Sequence, residues 1–318
     1  MDRLLGGKSP AGFARDFVTR SLRLALDLRS WRAGLKALRI PSLVIAAASC
    51  GLGVVLAWRD GRGDLLNAAA VMVTGLALQA GVNLVNDFFE FRQRRVNDKV
   101  AWLGFAAAER ELLEVLIFLV GLALFGLAGL VGLFLAWRSG WALLGLGAVG
   151  FAGGFFYTGE PVNYKRRGLA VPLVFFLMGV LMVGGSYYAV ARALPLRVAL
   201  QSVPVSILVS AILLGNEIRD FESDARYGIR TLSVRIGYGP AVGLFCLLVV
   251  GAYGVSAAFW IGGLFPHLRL LPFALAFAIP PVVFMTLPAA RRGPLIPLVM
   301  LHHLAFGVLF CLSWYTGI

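Results

Sequence analysis

The chain is poor in charge. Asp, Glu, Lys and Arg make up 14% of its 318 residues, where a water-soluble domain carries roughly 25%. That deficit excludes a soluble enzyme, a nucleic-acid-binding module and a disordered chain. Cysteine and histidine are also scarce, at three each. Cys50, Cys246 and Cys311 all lie within apolar runs, where cysteine acts as a small packing residue rather than a disulfide partner or metal ligand. Nor is there an apolar core of a cleavable signal peptide: the first 38 residues are basic throughout.

What is abundant is hydrophobic sequence, at 59% of residues, with a mean hydropathy of +0.84. This composition predicts an all-α, polytopic membrane protein. Nine runs have the ~20-residue length of a spanning helix. They fall at about 40–58, 65–89, 112–137, 141–158, 169–191, 196–218, 239–262, 268–288 and 294–315. Two regions follow: a basic N-terminal segment, 1–39, and a nine-helix membrane domain, 40–318.

The net charge of +13 belongs to the short connections between runs, where it sets topology and meets anionic lipid head groups rather than nucleic acid. With nine spans, 23 of the 29 basic residues fall on the side of the N-terminus and six on the other. The bias places the N-terminus in the cytoplasm, as expected of an integral protein of a bacterial-type inner membrane. Before the first span, Leu24, Leu28, Trp31, Leu35 and Leu38 recur at threes and fours among Arg20, Arg23, Arg29, Arg32 and Lys36. The pattern predicts an amphipathic helix in the cytoplasmic interface; a basic tail without fixed structure is the alternative.

Acidic residues near membrane depth are costly, so clusters of them are functional candidates. One closes the second run, with Asn83, Asp87 and Glu90 on one helical face. Another closes the sixth, where Asn216, Asp220 and Asp224 again share a face. Asn83 and Asn216, like Asp87 and Asp220, are 133 residues apart, a weak internal repeat of the kind that places a site between two halves. Facing carboxylates repel and call for a cation. Oxygen donors without His or Cys select Mg²⁺, which shares its coordination with substrate phosphates. Arg94, Lys99, Lys165 and Arg219 lie around the clusters and suit a diphosphate. Beneath a lipid-facing cavity, that points to a polyprenyl diphosphate. The plainer reading of each cluster is a set of charges at a membrane boundary.

Other polar features carry less. Adjacent His302 and His303 point ~100° apart on a helix and read as packing or polar residues of the last span. Gly61-Arg62-Gly63 is a turn with no phosphate-loop Lys-Ser/Thr after it. Asp60 and Asp64 face the outer side and are assigned no chemistry. Trp58, Trp137 and Trp260 close spans as an aromatic belt.

At its acidic motifs the sequence resembles the UbiA superfamily of intramembrane prenyltransferases, over nearly the whole chain from about residue 40. The second motif is carried by Asn216, Asp220 and Asp224, then Gly228, Arg230-Thr231-Leu232 and Val234-Arg235-Ile236-Gly237. Further matches are Phe156-Tyr157-Thr158-Gly159, Pro161, Tyr164, Gly168-Leu169, Gly179 and Gly184-Gly185-Ser186-Tyr187-Tyr188. In order and spacing they look most like the branch that prenylates 1,4-dihydroxy-2-naphthoate in menaquinone synthesis. The first motif departs from the pattern: Glu90 stands where the family has Asp, and Ala170-Val171 replaces the usual Gly-Glu after Gly168-Leu169.

The resemblance implies nine spanning helices and Mg²⁺-dependent transfer of a prenyl group to an aromatic ring. Asp87, Glu90, Asp220 and Asp224 would hold Mg²⁺, with Asp87, Asp220 and Asp224 central to catalysis. Asn83 and Asn216 would orient the diphosphate, and Arg94, Lys99, Lys165 and Arg219 would donate to its oxygens. Tyr157 and Tyr164 would contact the acceptor or shield the prenyl cation; the alternative for both is the interfacial belt. 4-Hydroxybenzoate or another phenol is the alternative acceptor. A non-catalytic prenyl-lipid-binding protein and a cation-coupled transporter are the rivals from other classes.

Overall fold

The computed structural model describes residues 19–21, 23, 24, 26–94, 107–265 and 267–315. Among them all regular structure is helical. A short helix α1 (Leu28–Ala37) opens the described fold. Asp27 caps it, its Oδ1 accepting from the Arg29 N–H at 2.8 Å. The left-handed Arg39 (φ 48°) turns the chain into α2 (Ile40–Arg59), which carries proline in its first turn.

Then come α3 (Leu65–Arg94), α4 (Ala107–Ser139) and the 14-residue α5 (Ala142–Phe155). A loop with a 3₁₀ turn, Tyr164–Arg167, leads to α6, which runs from Ala170 to Ala191 with a π-helical stretch at Phe175–Leu181. The long α7 (Leu196–Arg219) is followed by two short helices, α8 (Phe221–Arg226) and α9 (Leu232–Ile236), and by α10 (Tyr238–Ile261). The segment α11 joins a 3₁₀ stretch, Leu271–Phe277, to Ile279–Met285, and α12 (Leu295–Tyr315) ends the described fold.

Seven helices (α2, α3, α4, α6, α7, α10 and α12) are long and apolar enough to cross a membrane; α5 and α11 are apolar but shorter. The seven coincide with seven of the nine apolar runs. In the run at 141–158 the helix stops at Phe155, where the chain turns into a loop. In the run at 268–288, Pro272, Pro280 and Pro281 deny backbone donors to a continuous helix.

The most buried span is α7, packed by α6, α10 and α12, while α4 and α10 are the least buried. Close helix approaches rely on small residues, as expected in lipid. A Cβ on Gly53 of α2 would clash with the Val183 carbonyl of α6, and one on Gly179 of α6 would clash with Ser206 Oγ of α7. Hydrogen bonds between helices add to this: Ser210 of α7 donates to the Val171 carbonyl of α6 at 3.0 Å. On α12, His302 bonds the Tyr253 hydroxyl at 2.9 Å and packs as a polar core residue.

The start of α3 is held by a polar clasp. Arg138 donates to Asp64 and Asn67, and Asn67 donates to Ser139 and the Ala189 carbonyl. Beside it, Arg197 grips both carboxylate oxygens of Asp60, and Tyr187 donates to one of them. These two acids serve structure. The helix itself, at 30 residues, is about 45 Å long by its 1.5 Å rise. That exceeds the ~30 Å hydrocarbon core, so its polar C-terminal turns extend towards the interface.

Candidate active site

The C-terminal ends of α3 and α7 bound a cavity of about 680 Å³. From α3 come Leu78, Gln79, Val82, Asn83 and Asn86. From α7 come Val209, Ile212, Leu213, Asn216, Glu217 and Arg219, with Asp220 from the cap that joins it to α8 and Asp224 from α8. Asn83 of the first motif and Asn216 and Asp220 of the second thus open onto one space. Two helical turns, about 11 Å, separate polar Asn216 from apolar Val209. The cavity has a polar end and an apolar depth, which Leu177 and Met178 of the π-helical stretch and Met300 of α12 complete.

Each polar group has a defined setting. Asn83 donates to the Leu38 carbonyl at 2.7 Å and to Ser42 Oγ at 2.6 Å, and accepts from Gln79, tying α3 to the junction between α1 and α2. Asn86 accepts from Thr158 Oγ1 at 2.6 Å, fixing the loop after α5. Asn216 donates to the Ile212 carbonyl one turn back at 3.3 Å. Asp220 receives a two-pronged bond from Arg219, at 2.8 and 2.7 Å, the strong planar form of this pair. Asp224 is buried.

The loop Phe156–Gly168 supplies an aromatic wall. The Tyr157 and Tyr164 rings meet edge to face at 5.5 Å, and Lys165 Nζ lies 5.7 Å from the Tyr157 ring centre. Tyr164 donates to the Gly153 carbonyl at 2.7 Å. Burial, with Tyr157 adding to it, raises the Tyr164 phenol well above its ordinary value. Its hydroxyl is committed to the Gly153 carbonyl and holds the loop, while its ring lines the cavity beside Tyr157 and Lys165.

Not every residue of the sequence pattern lines this space. Asp87 is buried (4% exposed) but outside the lining; one residue on from Asn86, it points ~100° further round the helix. The side chains of Glu90 and Arg94, and all of Lys99, lie outside the described residues. Three charged lining residues went unassigned in the sequence. Lys36 and Arg39 bring cationic side chains from α1 and its junction with α2; their signal was hidden in a segment uniformly rich in basic residues. Glu217 stands inside the second motif and is 3% exposed. Its Oε2 accepts from the Ser233 N–H at 3.0 Å, while Oε1 has no hydrogen-bond partner. Leaving such a group unmatched costs about 1–3 kcal/mol.

The acidic donors here are all oxygen, the set that suits a hard cation such as Mg²⁺. Among the described residues no group of three or more His, Cys, Asp or Glu side chains is placed to hold an ion alone. That fits a cation that keeps waters and takes part of its shell from substrate phosphates.

Comparison with known proteins adds the following. A sequence profile of the UbiA prenyltransferase family matches residues 44–294. The 1,4-dihydroxy-2-naphthoate octaprenyltransferase of Bacillus subtilis is 32% identical over 213 residues, 67% of this chain and 67% of its own. The protein of the same name from Haemophilus influenzae is 27% identical over 88% of this chain and 94% of its own. A solved structure concerned with digeranylgeranylglyceryl phosphate synthase shares the fold, with a TM-score of 0.51 at 17% identity over 90% of this chain and 99% of that one.

Proposed function

The chain belongs to the UbiA prenyltransferase family, and from that premise we infer that it transfers a polyprenyl group from a polyprenyl diphosphate to 1,4-dihydroxy-2-naphthoate in menaquinone synthesis. The acceptor follows from the similar octaprenyltransferases. One observation supports the reading above others: both polar motifs open onto a cavity whose depth is apolar, a shape suited to an anionic head and a hydrocarbon tail.

Asp220 and Asp224, on the cavity wall, are the proposed ligands of Mg²⁺; Asp87 and Glu90 of the first motif complete the set once the end of α3 turns Asp87 towards the cavity. When bound, the ion offsets the charge of the departing diphosphate. Arg219 gives up its fork on Asp220 to reach diphosphate oxygens, helped by Arg94 and Lys99, while Asn83 and Asn216 orient them. The allylic C–O bond breaks with its electron pair on the diphosphate. Tyr157 and Tyr164 shield the resulting cation through their ring faces. The ring carbon of the acceptor then bonds to the prenyl carbon and loses its carboxylate as CO₂. The tail lies between Leu177, Met178, Val209 and Met300.

In the membrane, α5 and α11 complete nine crossings with the N-terminus in the cytoplasm. Residues 40–318 form the catalytic domain, and 1–39 the basic segment at its entrance. α1 rests in the interface: Ala33 and Ala37 pack against Leu84, Leu113 and Ile117, Leu28 and Trp31 are 75% and 64% exposed and face lipid, and Leu35 borders the cavity mouth.

Purified protein with Mg²⁺, labelled octaprenyl diphosphate and a panel of aromatic acids tests the reaction. The expected result is a prenylated, decarboxylated naphthalene product, lost by about 100-fold or more in Asp220→Asn with folding intact. Absence of product with every acceptor refutes the assignment, and full turnover by both Asp220→Asn and Asp87→Asn refutes the metal roles.

A further inference from the structure

The polar end of the cavity holds one atom that neither the helix packing nor the proposed metal set accounts for, Glu217 Oε1. The Ser233 N–H at the start of α9 takes the other oxygen at 3.0 Å and so fixes the side chain. Oε1 is closed to solvent and has no partner, yet the residue forms part of the cavity wall. A carboxylate oxygen in that position needs a donor. Lys165 lines the same cavity as Glu217, and its ammonium lies over the Tyr157 ring. An anionic oxygen and an ammonium beside an aromatic ring complement a ring bearing both a hydroxyl and a carboxylate. A further divalent cation is the poorer occupant, because the Lys165 ammonium on the same cavity wall repels it.

We propose that Glu217 Oε1 accepts a hydrogen bond from a ring hydroxyl of the aromatic acceptor and thereby selects hydroxylated acceptors. The proposal rests on the transferase reading above and adds a specificity-determining residue to it.

Glu217→Gln is the informative variant. Its amide oxygen still serves the Ser233 N–H, but the free oxygen becomes an NH₂ donor, so the shape stays and the polarity of one atom inverts. Binding of 1,4-dihydroxy-2-naphthoate and of 2-naphthoate, which lacks the hydroxyls, is measured by naphthalene fluorescence without Mg²⁺ or prenyl diphosphate. Thermal unfolding of both proteins checks the fold.

The wild type should prefer the dihydroxy compound. The variant should bind it about 10-fold more weakly, about 1.4 kcal/mol, with 2-naphthoate binding unchanged. KM for the acceptor should rise while KM for prenyl diphosphate and the Mg²⁺ requirement stay fixed. Equal losses for both naphthoates, no loss, or a shifted Mg²⁺ requirement would overturn the proposal. If the variant does not fold, the wild type still decides, since equal affinity for the two naphthoates overturns it. A wild type with no turnover of any acceptor refutes the transferase reading instead, a result distinguishable from an active wild type indifferent to the hydroxyls.

Discussion

Asp60 sits at the end of α3 remote from the cavity, between Arg197 and Tyr187. Burial alone would raise its carboxyl, but the Arg197 fork and the Tyr187 hydroxyl outweigh burial and hold it below the usual carboxylate range. A depressed carboxyl stabilises the fold above its unfolded-state value, and that contribution is lost as pH falls through the lowered folded-state value. Asp60→Asn should therefore cost about 1 kcal/mol near neutrality, a modest figure because Arg197 is 44% exposed. Melts of both proteins from pH 7 down to strong acid check this. The gap should close on acidification, and a gap that persists assigns the stability to something other than the ion pair.

The acidic helix α8 owes its position to a residue from a different connection. Arg292, 6% exposed, donates to both oxygens of Glu222 on α8 at 2.9 and 3.0 Å and to the Leu287 carbonyl at 2.8 Å. Its guanidinium stacks 4.3 Å from the Tyr238 ring centre. The connection before α12 thus braces the helix that carries Asp224. Arg292→Ala should lower the melting temperature and reduce kcat about 10-fold even well below that temperature, since small displacements of positioned groups are costly. Arg292→Lys keeps the charge without the fork and should fall between. Unchanged kcat in the folded Ala variant would mean that Asp224 is held by α7 alone.

Elements also show what the sequence discloses and what it withholds. Hydropathy located every long helix, because ~20 apolar residues have few alternatives in lipid. It overran α5 and α11, since apolar composition is indifferent to a loop at Phe156 or to prolines that divide a helix. The stripe from Leu24 to Leu38 was legible as a face, but not which of its residues pack inward: Leu24 is buried and Leu38 joins Ala33 and Ala37 in the contact, while Leu28, Trp31 and Leu35 stay exposed. The same gap separates Asp87 from Asn86. Periodicity gives angles around a helix relative to one another, and only packing against α7 and the loop after α5 decides which angle meets the cavity. Glu217 was hidden for another reason, because its significance lies in an oxygen left unmatched once Ser233 has taken the other.

For the whole molecule, orientation is the open quantity with a direct test. With the proposed nine crossings, the 23-to-6 division of basic residues would place the polar end of the cavity on the cytoplasmic side. Single cysteines introduced as Arg62→Cys and Tyr227→Cys, at exposed positions on opposite ends of the bundle, should react with an impermeant thiol reagent from opposite sides. Tyr227→Cys should label in inverted vesicles and Arg62→Cys in right-side-out ones. The reverse pattern would put the site on the outer face.

The cavity's graded lining, polar at the ends of α3 and α7 and oily two turns further in, has a thermodynamic corollary for the proposed chemistry. One reactant is tethered to the bilayer by its chain and the other is soluble in the cytosol. Their union discards both the diphosphate and the carboxylate, so the product keeps no ionised group to hold it at the rim. It would partition sideways into the surrounding hydrocarbon without crossing water, making removal of charge the step that drives release.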